Sequence, residues 1–266
     1  MPFLRQLFSL LALTVLTALN AGAADCPRIV SQSPYLTIAL DWLGRGDCIV
    51  GVSRYDQRQL PRTGGVSDPD GAAIAALQPD LIVTSQLTAD DALAAVTPAG
   101  ARALRLGGYR SLAETEQMVA SLAVASGAEN GEARARQFSR ELQQRLAAIP
   151  ARQRRILFVS ACATQPYSYG RNTMLGDLAE KAGFTLADDA EGIRHVYAGE
   201  AIDSIPALIE ATRADVVVNF LTKSENYCDA RLATLPVTLV MLPGDNFFHP
   251  GPRLLEGLDE LKEALQ

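Results

Sequence analysis

The sequence has little of what catalysis or metal capture draws on. It holds two histidines, His195 and His249, and neither sits in a His-x-x-x-His or Gly-x-Ser-x-Gly setting. A receptor for free zinc or manganese needs several converging His and carboxylate ligands, and two histidines are too few. No Gly-x-Gly-x-x-Gly follows a strand-like run, so a dinucleotide site has no support. There is no basic block and the formal charge is −6, which argues against nucleic acid and anionic membrane surfaces as partners. None of the four cysteines forms a Cys-x-x-Cys pair, which speaks against a four-thiolate metal site. Past the first 24 residues no long apolar run occurs, so the mature chain is expected to be soluble. Internal repeats and low-complexity segments are absent as well.

What is present begins with a leader. Residues 1–24 carry Arg5, an apolar run from Leu7 to Leu19, and then Ala21-Gly22-Ala23. These are the three parts of a secretory signal peptide, with cleavage expected after Ala23 or Ala24. The apolar run is short for a bilayer span. Asp25 directly precedes Cys26, where lipidation signals carry a small residue, so a lipoprotein is not expected. The remainder is 48% hydrophobic and 20% charged by whole-chain composition, and its length suits two lobes of about 100–150 residues.

The organising stretch runs from Arg28 to Val83. Ile29–Val30 and Ile49–Val52 are too short for helices and rich in β-branched residues, which predicts strands. Ser33 and Pro34 open a helix whose Leu36, Ala39, Leu40 and Leu43 share one face, and Gly44 or Gly46 ends it. A third strand, Leu81–Thr84, follows Pro79-Asp80. The β-α-β-α-β alternation implies a parallel sheet, with Ser53–Gly65 and Ser85–Thr88 on its ligand-binding rim. Further on come a helix near Ala89–Val96, a strand near Ala103–Leu106, and a capping box at Ser111–Glu114 that opens a helix to about Ser126. Asn130–Ile149 is a polar, Ala-rich helical run with Phe138, Leu142, Leu146 and Ile149 on one face; about 20 helical residues span roughly 30 Å. The alternation then restarts. Strands are expected at Ile156–Ser160, Phe184–Leu186, Val216–Phe220 and Val237–Leu242. Helices are expected at Thr173–Ala182, Ile205–Thr212 (capped by Ser204) and Pro252–Leu265.

Four cysteines in an exported chain point to two disulfides, with three possible connectivities. Cys26 and Cys48 each precede a strand, and parallel neighbours would place both at one sheet edge. Cys162 and Cys228 each follow a strand, at the opposite edge of the second lobe. The pairs expected are therefore Cys26–Cys48 and Cys162–Cys228. The loops on the binding rim carry Arg54, Tyr55, Arg58 and Arg62, and later Tyr167, Tyr169, Arg171, Asn172, His195, Tyr197, Asp245, Phe247, Phe248 and His249. Tyr and Arg recurring in both sets suit a large, flat, partly anionic ligand, because rings stack and guanidiniums pair with carboxylates. Trp42 reads as core or lobe surface, and Arg253 as a cap, an ion pair or a ligand contact.

Arg28-Ile-Val-Ser, Val50-Gly-Val-Ser-Arg-Tyr55, Pro61-Arg-Thr-Gly-Gly65, Ala76-Leu-Gln-Pro-Asp-Leu-Ile82 and Pro250-Gly-Pro-Arg-Leu254 occur in an order and spacing that cover nearly the whole mature chain. In this the sequence resembles the periplasmic substrate-binding proteins of cobalamin, ferric-siderophore and haem ABC importers. The resemblance implies two Rossmann-like α/β lobes with parallel sheets joined by a single long helix. The divisions are a signal peptide at 1–24, lobes at 25–128 and 151–266, and a connecting helix at 129–150. It implies a periplasmic monomer that performs no chemistry, holds no resident cofactor, and delivers a small-molecule metal chelate to permease subunits. Tyr55 and Tyr167 match aromatic ligand contacts, Asp245 a polar contact, and His249 a position where the cobalamin binder has arginine. Val66 stands where that binder has tryptophan. In haem-binding relatives a tyrosine or histidine ligates iron, and Tyr55, Tyr167 and His249 are the candidates. A soluble scavenger or sensor without an importer, or an exported chelate-processing enzyme, are the alternatives. Family members also present one docking glutamate per lobe; the matching places here are Ala72 and Ala207.

Overall fold

The computed structural model describes residues 26–221 and 229–266. The leader and Cys228 lie outside the described residues, and the expected Cys162–Cys228 bridge with them. In the first lobe β1 (Ile29–Ser31), β2 (Ile49–Val52), β3 (Leu81–Ser85) and β4 (Arg102–Leu106) pair in the order β2-β1-β3-β4, all parallel. The crossovers are α1 (Pro34–Trp42), α2 (Gly71–Ala76) and α3 (Asp90–Val96). β1 and β3 are buried along their whole length, as continuous Ile/Val runs in a sheet covered on both faces should be. Ser33 takes the N-cap place of α1 with Pro34 in the first turn, yet its hydroxyl makes no cap bond. Ser111 does cap its helix, accepting from the Glu114 N–H at 3.1 Å.

Two helices follow, α4 (Leu112–Ala125) and α5 (Gly131–Ala147). The second lobe comprises β5 (Arg155–Ser160), β6 (Tyr167–Tyr169), α6 (Met174–Lys181), β7 (Thr185–Leu186), β8 (Ile193–His195), α7 (Ile205–Thr212), β9 (Val216–Leu221), β10 (Thr238–Pro243) and α8 (Arg253–Ala264). Its sheet runs β10-β9-β5-β6-β8, with β7 beside the start of β5. This sheet is not wholly parallel, as the sequence led one to expect. β6 turns back antiparallel on β5, and β8 antiparallel on β6. Tyr167, Tyr169 and His195 therefore sit on strands rather than loops.

One apolar cluster passes through both lobes. Ile29, Leu36 and Leu81 of the first lobe and Phe158, Phe220 and Leu258 of the second belong to it, together with Phe138 and Leu142 of α5. Each such side chain contributes about 1.5–3 kcal/mol on burial. Trp42 is half-buried against the edge of Phe138, ring centroids 5.9 Å apart. Two hydrogen bonds fasten the lobes as well. The Leu112 N–H donates to Asp177 Oδ2 and the Met174 N–H to the Tyr109 carbonyl, both at 2.7 Å. Gly108 has φ +118°, and a Cβ there would lie 2.6 Å from the Pro250 ring, so backbone of one lobe rests directly on a proline of the other.

Cys26 and Cys48 form the expected disulfide, Cα atoms 5.4 Å apart, just ahead of the paired Ile29 and Ile49. Its loop spans 22 residues, so the chain-entropy argument assigns it about 3 kcal/mol. Replacing both cysteines by serine should lower the melting temperature by about 6–12 °C. An unchanged melting curve would remove the bridge from the stability account.

Candidate functional site

The C-terminal ends of both sheets face a cleft of about 470 Å³. Its first-lobe wall is Pro34, Tyr35, Thr37, Ile38 and Asp41 of α1 with Tyr55–Arg58 after β2. Its second-lobe wall is Asp245 and His249–Arg253 after β10. Open α/β sheets bind ligands at this edge. The Tyr55 loop is held from beneath: Arg62 donates to the Ser53 and Asp56 carbonyls at 3.1 and 2.8 Å. Asp56 Oδ1 accepts from the Arg58 N–H at 2.9 Å. Tyr55 itself is 66% exposed.

His249 of the second lobe engages two rings of the first. Its ring lies flat on Tyr35, centroids 5.3 Å and planes 6° apart. Tyr109 meets both rings edge-on and brings its hydroxyl 3.3 Å from His249 Nδ1. Burial pushes the His249 pKa below its ordinary value, partly opposed by the Asp245 charge. Burial also pushes the Tyr35 and Tyr109 phenols up. At neutral pH the cluster therefore carries two protonated phenols and a neutral imidazole.

A second set of rings continues from this one. Tyr167 on β6 packs against His195 on β8 and Tyr169, centroids 5.7 and 5.4 Å, and His195 lies 6.2 Å from Tyr197. Tyr169 stacks at 6.5 Å on Phe248, the neighbour of His249. The hairpin bearing these rings is pinned by Asp188, which is fully buried. Its carboxylate accepts from Arg194 at 2.9 and 3.0 Å, from the Ala190 N–H at 3.0 Å, and from the Ser168 hydroxyl. Burial alone would raise the Asp188 pKa, but these bonds outweigh it and hold it below the usual carboxylate range. Gly170 is required at the turn, because a Cβ would meet the Ala190 carbonyl oxygen at 2.0 Å.

Of the residues singled out in the sequence, Tyr55, Asp245 and His249 line the cleft. Tyr167, Tyr169 and Tyr197 join the second set of rings, although Tyr169 is itself buried. Arg171 is exposed in the turn after β6 and lies outside the cavity lining. Arg54 lies outside the cavity lining: its guanidinium bonds Asp68 at 2.5 Å and sits over the Tyr55 ring, 5.9 Å from its centroid. Phe247 is not on the rim at all. It is fully buried, 4.8 Å from the Phe220 ring and pressed on Gly257, because the Gly244 carbonyl turns the chain by accepting from the Phe247 and Phe248 N–H groups. Tyr35, Tyr109 and Asp41 were not singled out in the sequence. The signal for Tyr35 was its place at the start of the helix after the first strand, which topology puts on the binding rim. Among the described residues no group of three or more His, Cys, Asp or Glu is placed to hold a metal ion.

No protein-family model and no curated protein matches the chain. Solved structures do. A periplasmic haem-binding protein from Pseudomonas aeruginosa is 25% identical, covers 90% of this chain and 92% of its own, and superposes with a TM-score of 0.70. The periplasmic vitamin B12-binding protein BtuF of Vibrio cholerae is 20% identical over 90% of this chain and 96% of its own, TM-score 0.70. The siderophore-binding protein BauB, solved with two acinetobactin molecules and ferric iron, is 17% identical over 91% and 94%, TM-score 0.69. The chain shares their two-lobed α/β fold across nearly its whole length.

Asp188 gives a test of the ring platform. Its folded pKa lies below the unfolded value near 3.8, so its stabilisation is present above that value and is lost as pH falls through the folded one. Asp188→Asn should cost about 2–3 kcal/mol at pH 7, below the range for a fully enclosed pair because Arg194 reaches solvent. The gap to the parent should stay constant from about pH 7 to 5 and narrow below about pH 4. A gap that persists unchanged to about pH 2 would mean the carboxylate charge is not what holds the hairpin.

Proposed function

We propose that the chain is the periplasmic substrate-binding protein of an ABC importer. It captures a bulky metal chelate in the inter-lobe cleft and hands it unchanged to permease subunits in the inner membrane. The observation that carries this reading is the cleft itself, where both sheets end in exposed rings. Tyr55 and His249, the latter backed by the buried Tyr35, offer flat contact on one side, and Tyr167, His195 and Tyr197 extend it. About 470 Å³ falls in the range of small-molecule sites. Structures of the same fold bind haem, vitamin B12 and a ferric siderophore, all large ring-rich or chelated ligands. Those neighbours are binding proteins rather than enzymes, in keeping with a site built for contact. On this reading residues 1–24 export the chain, 25–128 and 151–266 are the two lobes, and 129–150 join them. The ligand is held by Tyr55, Tyr167, Tyr197, Asp245 and His249 together with Tyr35.

Protein purified from the periplasm should show visible absorption from bound chelate, or acquire it on titration with one. Tyr55→Ala should weaken that binding by about 1–3 kcal/mol and leave the melting temperature unchanged, because the side chain is mostly in solvent. Parent-like binding by this variant would put the ligand elsewhere.

A role as scavenger or sensor without an importer has one observation in its favour. Ala72 is exposed in the first turn of α2, and Ala207 is half-buried in α7, where docking glutamates are expected. The nearby Asp70 is engaged as the α2 cap, accepting from the Ala73 N–H at 3.0 Å. Docking to a permease should therefore rest on apolar contact and survive a rise from about 0.05 to 0.5 M salt. Loss of the reconstituted complex over that range would show that charged docking persists through other carboxylates.

A further inference from the structure

We infer that the cleft selects a chelate of neutral or positive net charge and disfavours an anionic one. This rests on the chelate-binding reading and narrows it. Of the rim arginines that suggested an anionic ligand, Arg54, Arg58 and Arg62 are engaged within the protein, and Arg171 is exposed outside the cavity lining. Arg54 is bonded to Asp68. Arg58 is bonded to Asp41 and to the Gly46 carbonyl, the latter at 3.0 Å. Arg62 serves two backbone carbonyls. Arg105 pairs with Asp90 at 3.1 Å, and Arg194 with Asp188.

Among the described residues the cavity lining holds three carboxylates, Asp41, Asp56 and Asp245, and two guanidiniums, Arg58 and Arg253. Arg253 lies 3.9 Å from Asp245 across the second-lobe wall. An anion entering here must draw Arg58 or Arg253 from its carboxylate and leave that carboxylate beside a like charge. His249 brings no compensating charge, since its seat between Tyr35 and Tyr109 favours the neutral ring. The long-range field acts in the same direction, with a chain charge of −6 and an isoelectric point near 5.0. An uncharged chelate need separate no pair, its faces contacting the rings; a cationic one competes for Asp41 or Asp245 on a wall where, among the described residues, carboxylates outnumber guanidiniums.

The test is fluorescence-quenching titration of the intact mature protein with four probes: cyanocobalamin (uncharged), ferrioxamine B (one positive charge), haemin (two carboxylates) and ferric enterobactin (three negative charges). Cyanocobalamin or ferrioxamine B should bind at least about tenfold tighter than either anion. Asp245→Asn, an exposed position, should narrow that gap severalfold by releasing Arg253. Haemin or ferric enterobactin binding tightest would overturn the inference and leave the chelate reading standing. A gap that Asp245→Asn does not change would overturn it as well. Failure of all four probes to bind would instead bring down the chelate reading, and this inference with it.

Discussion

The apolar continuity between the lobes is the constraint on which the cleft depends. Phe138 and Leu142 of α5 belong to a single cluster with Leu36 of one lobe and Phe158 and Leu258 of the other. Two halves that share a core cannot turn freely, because rotation would open voids in close-packed side chains. The strand ends are thereby kept facing each other, and the ring-lined cleft exists before any ligand arrives. The hydrogen bonds from Leu112 to Asp177 and from Met174 to Tyr109 add direction to that contact. What remains adjustable is confined to the loops after the strands, where Tyr55 stands in solvent.

Rings and charges divide the work at this site. A stacked ring tolerates many flat partners, since its attraction depends on area and geometry more than on chemical detail. Ion pairs discriminate, because a charge added beside Arg58–Asp41 or Arg253–Asp245 must disturb an arrangement already satisfied. On the proposed reading, affinity rests mainly on the rings and selectivity mainly on the ion pairs.

Much of the fold was legible because its signals are local. Ile29–Val30, Ile49–Val52 and the Val216 run announce buried strands, and Ser111, Thr173 and Ser204 cap the helices that follow them. The β6–β8 hairpin was not legible. Three-residue strands carry no periodicity, and their pairing rests on Asp188 meeting Arg194 and Ser168, a contact no local pattern signals. Candidate site residues failed for a related reason. Phe247 and Phe248 are adjacent and alike, yet a turn at Gly244 sends the first into the core and leaves the second partly exposed. Arg54 reads as a rim cation until Asp68, 14 residues on, folds back against it. His249 was visible from its place in the chain. Its seat on Tyr35 and Tyr109 joins positions 214 and 140 residues earlier, which only the tertiary structure brings together.

The contact of Gly108 on Pro250 gives the cleft a gauge. Here the lobes are separated by the thickness of one bare peptide, and the +118° backbone angle reserves the place for glycine. Any side chain would act as a wedge driven between two bodies that share a core, spreading their rims without altering a residue that touches the guest. A binding protein of this build can thus be re-gauged for a thicker guest from behind its second-lobe wall, by a change that leaves the wall's own side chains in place.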